Sequence, residues 1–191
     1  MSFASLLATD SFISFMSDGR VTSVDNTIVQ EGYSKLHRVS DEIILAMTGS
    51  KDNAERILDN IHMYDKSSVE SFTLSLLEGI TDNGPTPQVL MLIGGRNRLG
   101  KLVFTSVNTM TTHYSLDTVE PGGVSGEILY NSQNLSFNAY EYFGVTVQNA
   151  LKNNKIFDKE TAFNIQKELN DKVAKEDITV NTRIFHEIIF K

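Results

Sequence analysis

The chain has no cysteine, which excludes disulfides, thiolate catalysis and cysteine metal sites and is compatible with a cytosolic protein. Its three prolines leave no Pro-rich stretch, no segment is Ser-rich enough to serve as a linker, and no internal repeat is visible. Basic residues are in deficit: 17 Lys and Arg face 24 Asp and Glu, a formal charge of −7. That balance argues against a general nucleic-acid or anionic-membrane surface. The first apolar run, MSFASLLATD, has no basic flank and breaks at Thr9-Asp10. It is too short for a secretory core or a membrane span, and reads as a strand of the mature protein.

What remains is an ordinary globular composition: 191 residues, 40% hydrophobic, with a mean hydropathy of −0.17. This length suits one domain, residues 1–191, with a sizeable core. Phe3 to Ala8 and Phe12 to Met16 are short runs of β-type composition around Thr9-Asp10-Ser11, which predicts a hairpin ended by Asp18-Gly19. Lys35 to Val39 and Ile43 to Thr48 form a second candidate pair. Ser50 then caps a predicted helix with Ala54, Ile57, Leu58 and Ile61 on one face. Ser68 caps another, which the turn-rich segment Thr81 to Pro87 stops.

Strands are predicted again over Gln88 to Ile93, Leu102 to Val107 and His113 to Val119. Helices follow over Ser136 to Leu151 and Lys159 to Lys175, and Ile178 to Phe190 closes with β-type composition. The aromatic residues Phe137, Tyr140, Tyr142 and Phe143 read as helix packing. Helices that arrive in pairs disfavour a doubly wound parallel sheet. The order predicts an α+β fold: a four-layer αββα sandwich of two mainly antiparallel sheets.

Two tempting motifs fail on chemistry. Gly95 to Lys101 matches G-x-x-x-x-G-K, but Leu102 stands where the loop needs a hydroxyl for Mg²⁺ and strand follows where it needs a helix. It reads as a basic hairpin turn. His37, His62, His113 and His186 show no paired ligand spacing, so no metal and no cofactor is expected.

The chemistry-bearing pattern lies at the amino terminus. When Met1 is removed, Ser2 is a hydroxyl nucleophile carrying its own free amine, a compact arrangement for amide hydrolysis. Asp18 and Lys35 lie where a first hairpin and a third strand would bring them beside it.

The residues of this region resemble a known family. Ser34-Lys35-Leu36-His37-Arg38-Val39-Ser40-Asp41 is similar to the E-K-I-H-R-I-S-D segment of proteasome subunits. Asp18-Gly19-Arg20-Val21-Thr22 resembles the D-G-x-x-T step of HslV-type peptidases, and Asp177 to His186 resembles their C-terminal end. The likeness covers residues 2–62 best. It implies a proteasome β-subunit or HslV-type N-terminal nucleophile (Ntn) hydrolase that cleaves peptide bonds, a threonine-peptidase-like endopeptidase with serine as nucleophile.

In that reading Ser2 attacks, its α-amine is the base, Lys35 favours the alkoxide, Asp18 orients the ammonium and the Gly49 N–H is the oxyanion donor. Arg20, Thr22 and Met47 fall at substrate-binding positions, Met47 beside the residue preceding the scissile bond. Ser125, within Gly122 to Gly126, stands for the family's glycine-serine step. Asp171 stands for its helix-end aspartate, although Ala174 occupies the accompanying serine position. The resemblance further implies a cytoplasmic homo-oligomeric ring that takes peptide or unfolded protein, with a possible partner ATPase and neither nucleic acid nor membrane as partner. Two alternatives stand beside it: a non-catalytic proteasome-like subunit with an assembly or binding role, and an Ntn amidohydrolase acting on a small amide.

Overall fold

The structure is a computed structural model that describes residues 3–82, 89–111, 114–130, 135–153 and 156–191. Strands β1 (Phe3–Thr9) and β2 (Phe12–Asp18) form the first hairpin. The Thr9 Oγ1 closes its turn by accepting the Phe12 N–H at 3.0 Å. They are the centre of a sheet with order β10-β1-β2-β11, where β10 is Val124–Tyr130 and β11 is Ile184–Phe190. A second sheet runs β5 (Leu36–Ser40), β6 (Ile43–Gly49), β7 (Val89–Arg96), β8 (Leu102–Asn108) and β9 (Asp117–Thr118). Every pairing among these strands is antiparallel.

Two helices follow β6: α1 (Lys51–Asp59) and α2 (Val69–Asp82). Ser50 caps the first by accepting the Asn53 N–H, and Ser68 the second by accepting the Ser71 N–H at 3.2 Å. Helices α3 (Ala139–Asn153) and α4 (Lys159–Glu176) precede β11, and Asp158 caps α4 through the Thr161 N–H at 2.8 Å.

Strand alternation sorts the apolar side chains into three layers. On β1, Ala4, Leu6 and Ala8 face the other sheet, where they meet Ile44, Ala46, Leu92 and Phe104. Phe3 and Leu7 point the opposite way onto α3 and α4, against Phe143, Ile165 and Leu169. On β6, Ile43, Leu45 and Met47 turn outward beneath Ile57, Phe72 and Leu76 of α1 and α2. Each buried Leu, Ile or Phe contributes roughly 1.5–3 kcal/mol relative to exposure, so three layers of them hold the predicted αββα sandwich together. Arg38 of β5 crosses to the edge of the other sheet, pairing with Glu187 at 2.7 Å and donating to the Ile188 carbonyl at 3.1 Å.

Several elements differ from the sequence-based expectation. Strand β10 is an addition to the predicted strands: Val124, Ile128 and Tyr130 share one face that closes over α3 and α4. A small hairpin, β3 (Arg20–Thr22) with β4 (Ile28–Glu31), stands apart from both sheets. Within His113 to Val119 only Asp117–Thr118 pair as strand, and His113 lies outside the described residues, as does Gln88. The final strand begins at Ile184, and the segment before it is irregular, with the Asn181 side chain bonded to the β2–β3 turn. Among the described residues no helix is long and apolar enough to cross a membrane.

Two histidines make the fold acid-sensitive. Burial holds the imidazoles of His37 and His186 below their ordinary pKa. The His186 Nε2 lies 2.9 Å from the Ser14 Oγ, which itself donates to the Gln166 Oε1 at 2.6 Å. The unfolded chain therefore takes up protons near pH 6.5 that the folded chain refuses, and stability is lost as the pH falls through that value. The midpoint of urea unfolding is expected to drop between pH 7 and pH 5, and less steeply in His186→Gln. Equal slopes in the two proteins would remove His186 as a cause.

Candidate active site

Asp18 is the last residue of β2 and is fully buried. A carboxylate there has to be fully hydrogen-bonded, and it is. Its Oδ1 accepts the Phe3 N–H at 2.9 Å and its Oδ2 accepts the Arg20 N–H at 2.8 Å. The Lys35 ammonium pairs with Oδ1 and also donates to the Asp18 carbonyl at 3.2 Å. Lys35 is 3% exposed, so it is an interior cation and not a solvated edge charge. Its own carbonyl accepts the Met47 N–H at 3.0 Å, which ties it to β6.

Burial lowers the Lys35 pKa below the ordinary lysine value, with Asp18 opposing the shift. An ammonium held this way gives up its proton more readily than a surface lysine while staying fixed beside Asp18. Lysine has three donors, and among the described residues two of them go to Asp18.

Gly49 ends β6 opposite Val89. Both backbone groups of Val89 turn toward Thr109, at 3.0 and 3.1 Å. Gly49 and Val89 are therefore a non-hydrogen-bonded pair, and the Gly49 N–H and carbonyl face away from β7. On that other side the chain has already left the sheet, since the Tyr33 N–H donates to the Gly19 carbonyl at 3.0 Å. The Gly49 N–H thus opens into a groove past the end of β5. Its φ of +113° lies in the region that favours glycine.

The groove has a volume of about 510 Å³, and Val21, Thr22, Tyr33, Lys35, Met47 and Gly49 are among its lining residues. Apolar side chains from the exposed β4 residue Val29 and from Met47 and Ala54 form much of its wall. Sequence separation is large here, yet Thr22, Lys35, Met47 and Gly49 meet along one cleft. Arg20 is not in that lining. Its guanidinium pairs with Glu31 at 2.8 Å and donates to the Ile178 carbonyl at 2.5 Å, which supports the β3–β4 hairpin.

Two auxiliary positions are corrected. Ser125 pairs with Ala8, whereas Phe3 pairs with Tyr130. Five residues of strand, about 17 Å, separate Ser125 from the Asp18 end of β1. Asp171 lies on the flank of α4, ion-paired with Lys167 in a shallow polar groove with Tyr142 and Lys172. It does not approach Asp18.

The aspartate that does reach this end of β1 is Asp177, just past α4 and 4% exposed. Its Oδ1 accepts the Thr179 N–H at 2.8 Å and the Thr179 hydroxyl at 2.6 Å, and its Oδ2 accepts the Tyr130 hydroxyl at 3.0 Å. The signal for it was an Asp two residues before a Thr directly after a helical period, an Asx-type turn. Asn181, in the irregular segment that precedes β11, accepts the Gly19 N–H at 2.9 Å. Ser2 lies outside the described residues. Among those described, no cluster of His, Asp and Glu is arranged to hold a metal ion.

No protein-family profile matches the sequence, and no curated protein does. Solved structures do match. Anbu, an ancestral beta-subunit, from Yersinia bercovieri superposes with a TM-score of 0.73 at 14% identity, over 98% of this chain and 81% of that one. The eukaryotic HslV of Trypanosoma brucei superposes with a TM-score of 0.64 at 12% identity, over all of both chains. Element order, sheet pairing and these superpositions agree: the chain has the fold of the proteasome-like Ntn hydrolases.

Proposed function

We propose that the protein is a peptide-bond hydrolase of the proteasome and HslV type, with Ser2 as its nucleophile once Met1 is removed. The observation that carries the reading is the buried Asp18–Lys35 pair directly beneath the start of β1. The Phe3 N–H that binds Asp18 belongs to the residue that follows Ser2 in the sequence. Burying two charges costs several kcal/mol per ion before pairing offsets it. A cation kept there at the mouth of a groove is suited to act on a reacting hydroxyl.

In the proposed step the free α-amine takes the Ser2 hydroxyl proton as the oxygen attacks a peptide carbonyl. The Lys35 ammonium favours the alkoxide form of that oxygen, and Asp18 holds the ammonium in place. The Gly49 N–H receives the oxyanion of the tetrahedral intermediate. An acyl ester forms on Ser2, the amine of the departing peptide carries off the proton, and water hydrolyses the ester. Thr22 and Gly49 would bind an extended peptide through its backbone as an added strand. The apolar wall at Met47, Val29 and Ala54 would take an apolar side chain before the scissile bond.

The reading includes a single domain, a cytoplasmic location and a homo-oligomeric ring that admits unfolded chains, with an ATPase as a possible partner. The sparse burial of α3, where Val145 and Leu151 are exposed, supports assembly through that helix. Light scattering at micromolar concentration is expected to give a multiple of the 21.3 kDa chain mass, and a monomer there would contradict the ring. The test of function is to verify a Ser2 terminus by intact mass and then assay fluorogenic peptides with apolar residues before the reporter. Verified protein that cleaves none of a broad panel would favour the non-catalytic subunit, and turnover of small amides alone would favour the amidohydrolase.

A further inference from the structure

The turn that aims the Asp18 carboxylate is gripped from outside the proposed catalytic set. Asp18, Gly19 and Arg20 link β2 to β3, and the direction of the carboxylate depends on the Gly19 peptide. Both peptide groups flanking Gly19 are fixed. The Gly19 N–H donates to the Asn181 Oδ1 at 2.9 Å, and the Gly19 carbonyl accepts the Tyr33 N–H at 3.0 Å.

Asn181 is 9% exposed, and each end of its amide has a demanding partner. The Nδ2 donates to the Glu31 carboxylate, which can only accept, so the Oδ1 must face Gly19. A flipped amide would set oxygen against carboxylate and N–H against N–H. Behind it, the fully buried Asn170 of α4 donates to the Asn181 carbonyl at 2.9 Å. The Glu31 carboxylate also binds Arg20, whose backbone N–H is the donor to the Asp18 Oδ2. A closed circuit therefore runs from Asp18 through Arg20, Glu31, Asn181 and Gly19 back to Asp18. This circuit explains why the chain between α4 and β11 is irregular: it spends Asn181 on the β2–β3 turn instead of on strand pairing.

We propose that Asn181, oriented by Glu31, is a positioning residue that sets the direction of the Asp18 carboxylate and thereby the place of the Lys35 ammonium. The proposal rests on the reading of Lys35 as part of the catalytic apparatus, but it concerns geometry that can be read without turnover. Glu31 and Arg20 both act electrostatically on Lys35 as well, in opposite senses.

The test compares two ways of altering the circuit in the full chain. Asn181→Leu keeps the side-chain size and removes both hydrogen bonds. The double variant Asn181→Asp with Glu31→Gln keeps both bonds and the total charge, because the glutamine amide donates to a carboxylate that still accepts the Gly19 N–H. The readouts are the pH titration of the Lys35 ¹³Cε resonance and the steady-state hydrolysis of a fluorogenic peptide.

Asn181→Leu is expected to move the Lys35 titration to lower pH, since a misaligned Asp18 supports the ammonium less. It should lower kcat by about 10–100-fold, the scale of a small misplacement at a reacting group, with KM nearly unchanged. The double variant should restore both. If Asn181→Leu does not fold, Asn181→Ala, which removes the same two side-chain hydrogen bonds and leaves the Glu31 charge in place, takes its place. An unmoved Lys35 titration, or a double variant as impaired as the single one, overturns the proposal. A titration that moves and is rescued in a protein that cleaves no peptide supports the positioning role and counts against the hydrolase reading alone.

Discussion

Ser2→Ala is expected to abolish peptide hydrolysis while leaving the fold intact, and Lys35→Met to lower it by about 10²–10⁴-fold, the range for a lost proton-transfer or charge-stabilising group. The two variants should differ in stability. Ser2 in the proposed mature protein is the first residue, whereas Lys35 is the counter-ion of a fully buried carboxylate. Removing one partner of such a pair leaves an uncompensated charge and costs on the order of 3–5 kcal/mol. Adding Asp18→Asn to Lys35→Met should recover part of that loss by removing the unpaired charge: the asparagine oxygen still accepts the Phe3 N–H, although its Nδ2 cannot accept the Arg20 N–H, and activity should stay low. A stable, inactive double variant would show that the pair serves chemistry more than folding. Ser2→Thr should retain or raise activity, since both hydroxyls can attack and the added methyl restricts χ1. Activity of the wild type should rise with pH through about 7.7–8.0 as the α-amine loses its proton. Peptidase activity that survives Ser2→Ala would place the nucleophile elsewhere.

The pieces of this site that could be read in the sequence are those fixed by local rules. Thr9-Asp10-Ser11 closes a hairpin, Ser50 and Ser68 cap helices, and the continuous apolar run Ile43 to Met47 gives a strand buried on both faces. These place Asp18, Lys35 and Gly49 at neighbouring strand ends once the strands pair. Strand β10 escaped because Gly122, Gly123 and Gly126 look like breakers, and its polar residues Ser125 and Glu127 face inward at a sheet edge. With β10 unseen, Ser125 had no register, and nothing placed it opposite Ala8. Asp171 matches the family's helix-end aspartate in sequence, but a helix presents a different face at each residue. Asn170 points to the segment before β11, donating to the Asn181 carbonyl, while Asp171 lies in the polar groove with Lys167 and Tyr142. Asp177 escapes the helix, and its side chain can turn back to Thr179 and Tyr130. Asn181 had no local signal at all, since its partners Gly19 and Glu31 are about 150 residues or more away in sequence.

Phe15→Ala is expected to lower the unfolding free energy by about 3–5 kcal/mol, the cost of deleting a buried phenyl ring and leaving a cavity. Phe15 is fully buried between the sheets, and its ring lies against Gly94 of β7. A Cβ on Gly94 would stand 2.8 Å from the Phe15 Cζ and 3.4 Å from the Ile13 Cδ1, so the glycine is the space the ring occupies. Sheets stack about 10 Å apart, and a large side chain opposite none fits that spacing where two medium ones would also serve. Gly94→Ala should therefore destabilise by about 1–3 kcal/mol through overpacking, although alanine is normally neutral or better in a strand than glycine. In a Phe15→Leu background the same Gly94→Ala change should cost little, because the shorter side chain leaves room. Chemical denaturation of the four proteins gives the coupling directly. Additive effects would show that the ring and the glycine do not define the gap between the sheets. A folded chain of this kind has about 5–15 kcal/mol in hand, so loss of this one ring would remove a large fraction of it and loosen the sandwich on which Asp18 and Lys35 meet.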